Sequence, residues 1–71
     1  MTLGEGLKRF RKMRGVTQQQ VADAVNIRKQ NYYRYENNLA SPNSSVLINV
    51  SKAFDVSIDY LVGLSDNPAR I

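Results

Sequence analysis

The sequence predicts an all-α fold, a compact domain of five short helices, and three observations carry this prediction. Apolar side chains recur at three- and four-residue spacings along the chain, as they do on the buried face of a helix. No segment alternates apolar and polar residues as a half-buried strand does. Residues that start or stop helices interrupt the pattern at short intervals. At 71 residues, 42% of them hydrophobic, the chain suffices for one small core.

The first predicted helix starts with a capping box, in which Thr2 and Glu5 satisfy each other's backbone N–H groups. Its apolar face consists of Leu3, Leu7, Phe10 and Met13. Gly15 follows as a natural C-terminal stop. Gly4 and Gly6 each cost about 1 kcal/mol relative to alanine in a helix, so we expect the first turn to fray.

A second capping box, formed by Thr17 and Gln20, opens the second helix. The inner face of this helix consists of Val21, Ala22 and Val25. We expect it to end at Asn26, because asparagine is second to glycine in tolerating the left-handed conformation. A third helix then covers about residues 28–37, with Tyr32 and Tyr35 turned inward.

The fourth helix is predicted to begin at residue 44 or 45, after a loop that contains Pro42, and to end at Phe54. Its expected buried stripe is Val46, Leu47, Val50, Ala53 and Phe54. Ser57 caps a short fifth helix, and Gly63 closes it. The domain is therefore predicted over residues 1–64, and residues 65–71 read as a polar tail or the start of a linker.

Charge is distributed unevenly along the chain, whose net charge is +4. Residues 1–34 carry eight lysines or arginines against two acids, whereas residues 35–71 carry two against four. A basic half of this kind is typical of a protein that binds a polyanion, although a solvated basic surface would look the same. The chain has no cysteine and no histidine, and its acids are not paired, so it offers no catalytic constellation. We expect no enzyme activity, metal, cofactor or membrane partner, and a cytoplasmic location.

The second and third helices are short, and a tight turn centred on Asn26 joins them. The small Ala22 lets the two helices approach closely, which is the geometry of a helix-turn-helix. Five side chains of the third helix are then expected to point outward: Lys29, Gln30, Tyr33, Arg34 and Asn37. Lysine and arginine donate to guanine, and glutamine or asparagine can pair with adenine, so this face suits the edges of DNA bases.

The stretch VTQQQVADAVNIRKQNYYRYENN, followed by Pro42 and by KAFDVSIDYLVG, resembles the Cro/CI-type (XRE) helix-turn-helix family over about residues 5–64. The resemblance implies a five-helix, lambda-repressor-like DNA-binding domain. Asn26 replaces the family's usual turn glycine. Arg28 stands where a serine or threonine often caps the third helix, so that cap is missing.

The resemblance also implies roles for individual positions. Bases would be read by Lys29, Gln30 and Arg34, with Tyr33 and Asn31 as secondary candidates. Phosphates would be contacted by Gln18, Arg28, Asn37, Asn38, Ser41 and Asn43. Arg11 and Glu36 would form an ion pair that ties the first helix to the third, unless both are simply solvated.

The function predicted from these features is sequence-specific binding of double-stranded DNA by a transcriptional repressor. One helix reads few base pairs, so we expect a homodimer on a pseudo-palindromic operator with half-sites about 34 Å apart. The candidate dimer surface is Ile58, Tyr60, Leu61, Val62 and Leu64, although these residues could instead complete the monomer core. Two alternatives remain open: an antitoxin-like protein-interaction module, and the DNA-binding fragment of a larger, sensor-coupled repressor.

Overall fold

Five α-helices and no strand make up residues 1–70, the part of the chain that the computed structural model describes. The helices are α1 (Leu3–Arg14), α2 (Gln18–Ala24), α3 (Lys29–Glu36), α4 (Ser44–Phe54) and α5 (Ile58–Leu61). α1 packs on α3 and α5, while α2 packs on α3 and α4. The predicted all-α, five-helix fold is confirmed.

Local sequence signals set most of the helix ends. Both predicted capping boxes form, Thr2 with Glu5 at α1 and Thr17 with Gln20 at α2. α1 ends at Gly15, whose φ of 68° is left-handed. Asn43 caps α4 by accepting a hydrogen bond from the Val46 N–H at 2.9 Å. These caps satisfy backbone groups that have no partner within the helix.

The core lies where α1, α2, α3 and α5 meet and is closed by α4. Its buried hydrophobic members are Leu7, Phe10, Val21, Ala22, Val25, Tyr32, Val50, Val56, Tyr60 and Leu61. The Phe10 and Phe54 rings meet edge to face, with centroids 5.2 Å apart, and connect α1 to α4. This small core fixes the orientation of α2 and α3.

Gly4 and Gly6 do not leave a frayed first turn, as helix propensity alone suggests. Both are buried, and each lies against the backbone of another helix. A Cβ on Gly4 would meet the Glu36 carbonyl oxygen, and a Cβ on Gly6 would meet the Leu61 carbonyl oxygen, both at impossibly short distances. The glycines therefore allow α1 to contact α3 and α5 closely, and this packing keeps the turn helical.

One position of the predicted α4 stripe is wrong. Ala53 is exposed, and Ser51 is buried instead. The Ser51 hydroxyl donates to the Val56 carbonyl oxygen at 2.6 Å. A polar residue is therefore buried because it closes the turn between α4 and α5, and spacing of apolar residues alone does not reveal this.

The C-terminal segment (residues 65–70), predicted as a polar tail or the start of a linker, folds back on the helices. Arg9 of α1 donates to Asp66 and to the Ser65 carbonyl oxygen, both at 2.9 Å. The Ser57 N–H donates to the Pro68 carbonyl oxygen at 2.8 Å. The segment that follows the predicted boundary at residue 64 thus contacts α1 and the start of α5. Ile71, the last residue of the predicted tail, lies outside the described residues.

Two of the predicted dimer residues, Tyr60 and Leu61, are buried in the core, and their assignment to a free surface is wrong. α5 is a single turn that presses both side chains against α1, and the Arg9 guanidinium covers the Tyr60 ring at 3.8 Å from its centroid. Val62 is half-buried. Ile58 and Leu64 remain exposed, at 39% and 80%.

Candidate nucleic-acid interface

The turn between α2 and α3 sets the position of the exposed helix. Asn26 adopts the left-handed conformation with φ of 59°. The Ile27 N–H then donates to the Ala22 carbonyl oxygen at 3.0 Å, closing the end of α2. Ala22 is fully buried and small enough for α3 to cross close by. α3 begins after Arg28, whose side chain makes no capping hydrogen bond.

A shallow groove of about 680 Å³ lies between the beginnings of α2 and α3. It is lined by Gln18, Gln19, Arg28, Lys29, Gln30 and Tyr33. A neighbouring depression extends it to Arg11 and Thr17. The groove combines two cations with three amide side chains, a set of donors and acceptors suited to base edges and phosphate oxygens.

Three of the predicted base-reading residues, Lys29, Gln30 and Tyr33, are brought together in this groove. Tyr33 is 49% exposed, which leaves much of its ring free of protein contacts. The other two, Asn31 and Arg34, are exposed on α3 but do not line the groove. The exposed face of α3 therefore extends past the groove on one side.

A buried ion pair holds α3 against α1 behind this face. Arg11 Nε donates to Glu36 Oε2 at 2.6 Å, and Arg11 Nη2 donates to Oε1 at 3.2 Å. The Glu36 side chain is 0% exposed and that of Arg11 is 19% exposed. Gln18 Nε2 also donates to Glu36 Oε1 at 3.2 Å, which ties the first residue of α2 into the same cluster. Three helices are thus joined at one carboxylate.

The carboxylate is charged in spite of its burial. Burial acts to raise the pKa of Glu36, but the hydrogen bonds from Arg11 and Gln18 outweigh it, so the pKa is lowered. The hydrogen bonds to Glu36 in turn raise the pKa of Arg11. The Tyr32 hydroxyl is buried beside this cluster and makes no hydrogen bond within residues 1–70. Burial, and then the adjacent carboxylate, raise the pKa of Tyr32, which keeps it neutral.

The predicted phosphate contacts after α3 divide into engaged and free side chains. Asn38 is engaged: its Oδ1 accepts from the Gly4 N–H and its Nδ2 donates to Thr2 Oγ1, both at 3.0 Å. Its side chain therefore anchors the start of α1, and both of its polar atoms are taken up by these bonds instead of a phosphate. Asn37 donates to the Tyr33 carbonyl oxygen. Ser41 and Asn43 are exposed, although Asn43 Oδ1 caps α4.

Gln19 lines both depressions but is absent from the predicted site. Its Nε2 donates to Asp23 Oδ1 at 2.7 Å along the exposed face of α2. The signal was present in the sequence, because Gln18 and Gln19 both lie in the first turn of α2, facing the start of the next helix.

Known proteins similar to this chain are transcriptional regulators and repressors. The helix-turn-helix family model matches residues 7–61. The HTH-type transcriptional regulator ImmR of Bacillus subtilis is 38% identical over 63 residues, which cover 89% of this chain and 50% of the regulator. A second HTH-type transcriptional regulator of that bacterium, YqaE, is 43% identical over 58 residues, which cover 82% and 50%. The chain thus spans half the length of these relatives.

Among solved structures, the P22 c2 repressor in complex with a synthetic operator has a similar fold. Its TM-score is 0.81 at 26% sequence identity, with 92% of this chain and 98% of that chain covered. None of the helices in residues 1–70 is long and apolar enough to cross a membrane.

Proposed function

Because the chain belongs to the helix-turn-helix family of Cro/CI (XRE) type, we propose that it is a sequence-specific, double-stranded-DNA-binding transcriptional repressor that reads the major groove with α3. The observation that carries this proposal is the polar, cationic groove at the start of α2 and α3, fixed from behind by the buried Arg11–Glu36 pair. A rigid helix face of this kind can hold donors against base edges.

Base reading falls to Lys29, Gln30 and Arg34, with Tyr33 and Asn31 beside them. Phosphate contacts fall to the first turn of α2 and the side chains around it. The N–H groups of Gln18 and Gln19 have no partner within the helix, and they can donate to a phosphate. Further contacts are assigned to Arg28, Asn37, Ser41 and Asn43. Because its amide is held by Glu36, Gln18 would keep the domain in register on the backbone.

We assign the active form to a homodimer on a pseudo-palindromic operator. A single α3 contacts only a few base pairs, whereas two copies with half-sites about 34 Å apart multiply the discrimination. The exposed apolar side chains Ile58 and Leu64, with the half-buried Val62 between them, are the candidate contact. The protein would work in the bacterial cytoplasm, since the two relatives are bacterial regulators.

Selection of binding sites from random duplex DNA, followed by affinity measurements on variants, tests the proposal. Gln30→Ala and Arg34→Ala should each weaken the selected site by about 1–3 kcal/mol and relax one base position. Arg28→Ala should weaken selected and random DNA alike and reduce the salt dependence of binding. Lys52→Ala, which removes an exposed charge from α4, is the matched control.

Two results would contradict the proposal. If the selection yields no enriched sequence, the protein does not recognise DNA by sequence. If Lys52→Ala weakens binding as much as Arg34→Ala, the charge of the chain rather than the face of α3 is responsible for binding.

A further inference from the structure

Arg9 contacts several groups outside the proposed DNA-binding face. Its Nη2 donates to two carbonyl oxygens, those of Tyr60 and Ser65, each at 2.9 Å. Its Nη1 donates to Asp66 Oδ1, also at 2.9 Å. The same guanidinium is stacked on the Tyr60 ring, 3.8 Å from the centroid. One arginine of α1 therefore holds both the end of α5 and the C-terminal segment.

α5 depends on such contacts because it consists of four residues. A helix of one turn has too few internal hydrogen bonds to be stable by itself. At its start, the Ser57 N–H donates to the Pro68 carbonyl oxygen at 2.8 Å. At its end, the Tyr60 carbonyl oxygen accepts from Arg9. The C-terminal segment and Arg9 thus hold α5 at both ends.

We propose that the C-terminal segment, fastened by Arg9, is a strap that sets the conformation of α5 and so controls assembly of two copies on the operator. α5 and the turn after it carry Ile58 and Leu64, the exposed apolar side chains of the proposed contact. Loosening the segment would disorder this contact and lower operator affinity, although neither Arg9 nor the segment belongs to the DNA-binding face. The assembly step rests on the proposed function, whereas the fastening of α5 does not.

The contacts of Arg9 differ in how strongly they hold the C-terminal segment. Asp66 is fully exposed, and an exposed ion pair contributes little. The two bonds to carbonyl oxygens, beside the stacked ring, need the planar fork of an arginine. A lysine keeps the charge but cannot donate in this pattern or stack in this way. Arg9→Lys should therefore release the segment, while Asp66→Asn should leave it in place.

Hydrogen exchange on the full chain tests the fastening without DNA. The amide protons of Leu61, Val62 and Leu64, bonded to carbonyl oxygens at the start of α5, should exchange about tenfold faster in Arg9→Lys, relative to those of α2 and α3. They should change less than about twofold in Asp66→Asn. Arg14→Lys is the matched control, since Arg14 also donates to a carbonyl oxygen but does not touch the segment. If the amide protons of α5 exchange at the wild-type rate in Arg9→Lys, or if exchange accelerates equally in every helix, the proposal that Arg9 fastens the segment to α5 is wrong.

Binding to duplexes with one and with two selected half-sites tests the assembly step. Arg9→Lys should bind the paired site about tenfold more weakly and the single half-site as wild type does. Equal loss on both duplexes would overturn control through assembly. If the wild-type chain binds paired and single half-sites with equal affinity, the proposed homodimer fails, and the exchange measurement still decides whether the segment fastens α5.

Discussion

Replacing Gly6 by alanine changes the free energy of unfolding in two opposite directions, because helix propensity favours alanine and close packing favours glycine. Propensity alone favours alanine in a helix by about 1 kcal/mol. In the structure, however, the added Cβ would overlap the Leu61 carbonyl oxygen and lie 2.9 Å from its carbon. Both atoms belong to the backbone of α5, so no side-chain rotation relieves the overlap. The helices must separate instead.

The magnitude follows from these contacts. An ordinary non-bonded contact to carbon needs roughly 3.5 Å, so α1 and α5 would have to part by about 1 Å or more. Overpacking of a tight contact costs about 1–3 kcal/mol, and a contact between two backbones belongs at the upper end of this range. After the propensity gain is subtracted, Gly6→Ala should destabilise the protein by about 2 kcal/mol.

Urea unfolding followed by far-ultraviolet circular dichroism measures this loss as a lower midpoint at unchanged slope. Gly15→Ala is the control, because Gly15 has a φ of 68° and no atom within 4 Å of its would-be Cβ. That variant should lose only about 1 kcal/mol, from backbone strain. A Gly6→Ala midpoint at or above that of the wild type would refute the close-packing argument, as would a loss no larger than that of Gly15→Ala.

Three further predictions concern the buried pair and the uncapped helix. Glu36→Gln should cost about 3 kcal/mol of unfolding free energy in urea, because it leaves the Arg11 charge largely buried without its partner; a loss below about 1 kcal/mol would mean that the pair behaves as exposed. The folded-state pKa of Glu36 lies below its ordinary value of 4.5. The ionised carboxylate therefore contributes fully to stability above pH 4.5, and this contribution is lost as the pH falls through the lowered folded-state pKa. The urea midpoint should therefore drop more between pH 7 and about 3 in the wild type than in Glu36→Gln, and parallel curves would contradict this. Arg28→Ser should stabilise the protein by up to about 1 kcal/mol in thermal unfolding, because it supplies the missing cap of α3. The same change should weaken binding to all DNA sequences alike. A gain in affinity would exclude a phosphate contact at this position.

The sequence predicts the helices well because their ends depend on local chemistry. The capping boxes at Thr2 and Thr17 form as predicted, and the bounds of α4 agree with the expected ones. Asn26 is left-handed, as its residue type suggests, although α2 itself ends two residues earlier, at Ala24. Each of these features is decided within four residues of the chain, and that is the range that a sequence pattern describes.

Most features that the sequence does not predict depend on contacts between residues far apart in the chain. Gly6 meets Leu61, and Arg9 meets Ser65, in both cases through a backbone carbonyl oxygen. Every residue carries such an oxygen, so no residue type signals that it will accept a bond or a close contact. Ser51 is a local case: it is buried because it donates to the carbonyl of Val56, which lies five residues further along the chain.

Part of the candidate site could be predicted from the sequence, because it depends on local helical spacing. The outward face of α3 follows from helical spacing, and Lys29, Gln30 and Tyr33 do line the groove. The ion pair of Arg11 and Glu36 was suggested only by resemblance, since nothing in the spacing places residues of α1 and α3 together. Asn38 is the converse case, because a polar loop residue that suits phosphate is committed to the start of α1.

The close contacts of α1 with α5 also bear on how the chain folds as it is synthesised. α1 precedes α5 and the C-terminal segment in the chain, yet it contacts both, through Leu61 and through Asp66. α1 and α5 must meet before the core closes, so α2 and α3 emerge from the ribosome while the core behind them is still open. A nascent chain stalled before residue 60 would therefore expose Leu7 and Phe10, which are buried in the finished protein, to chaperones and proteases.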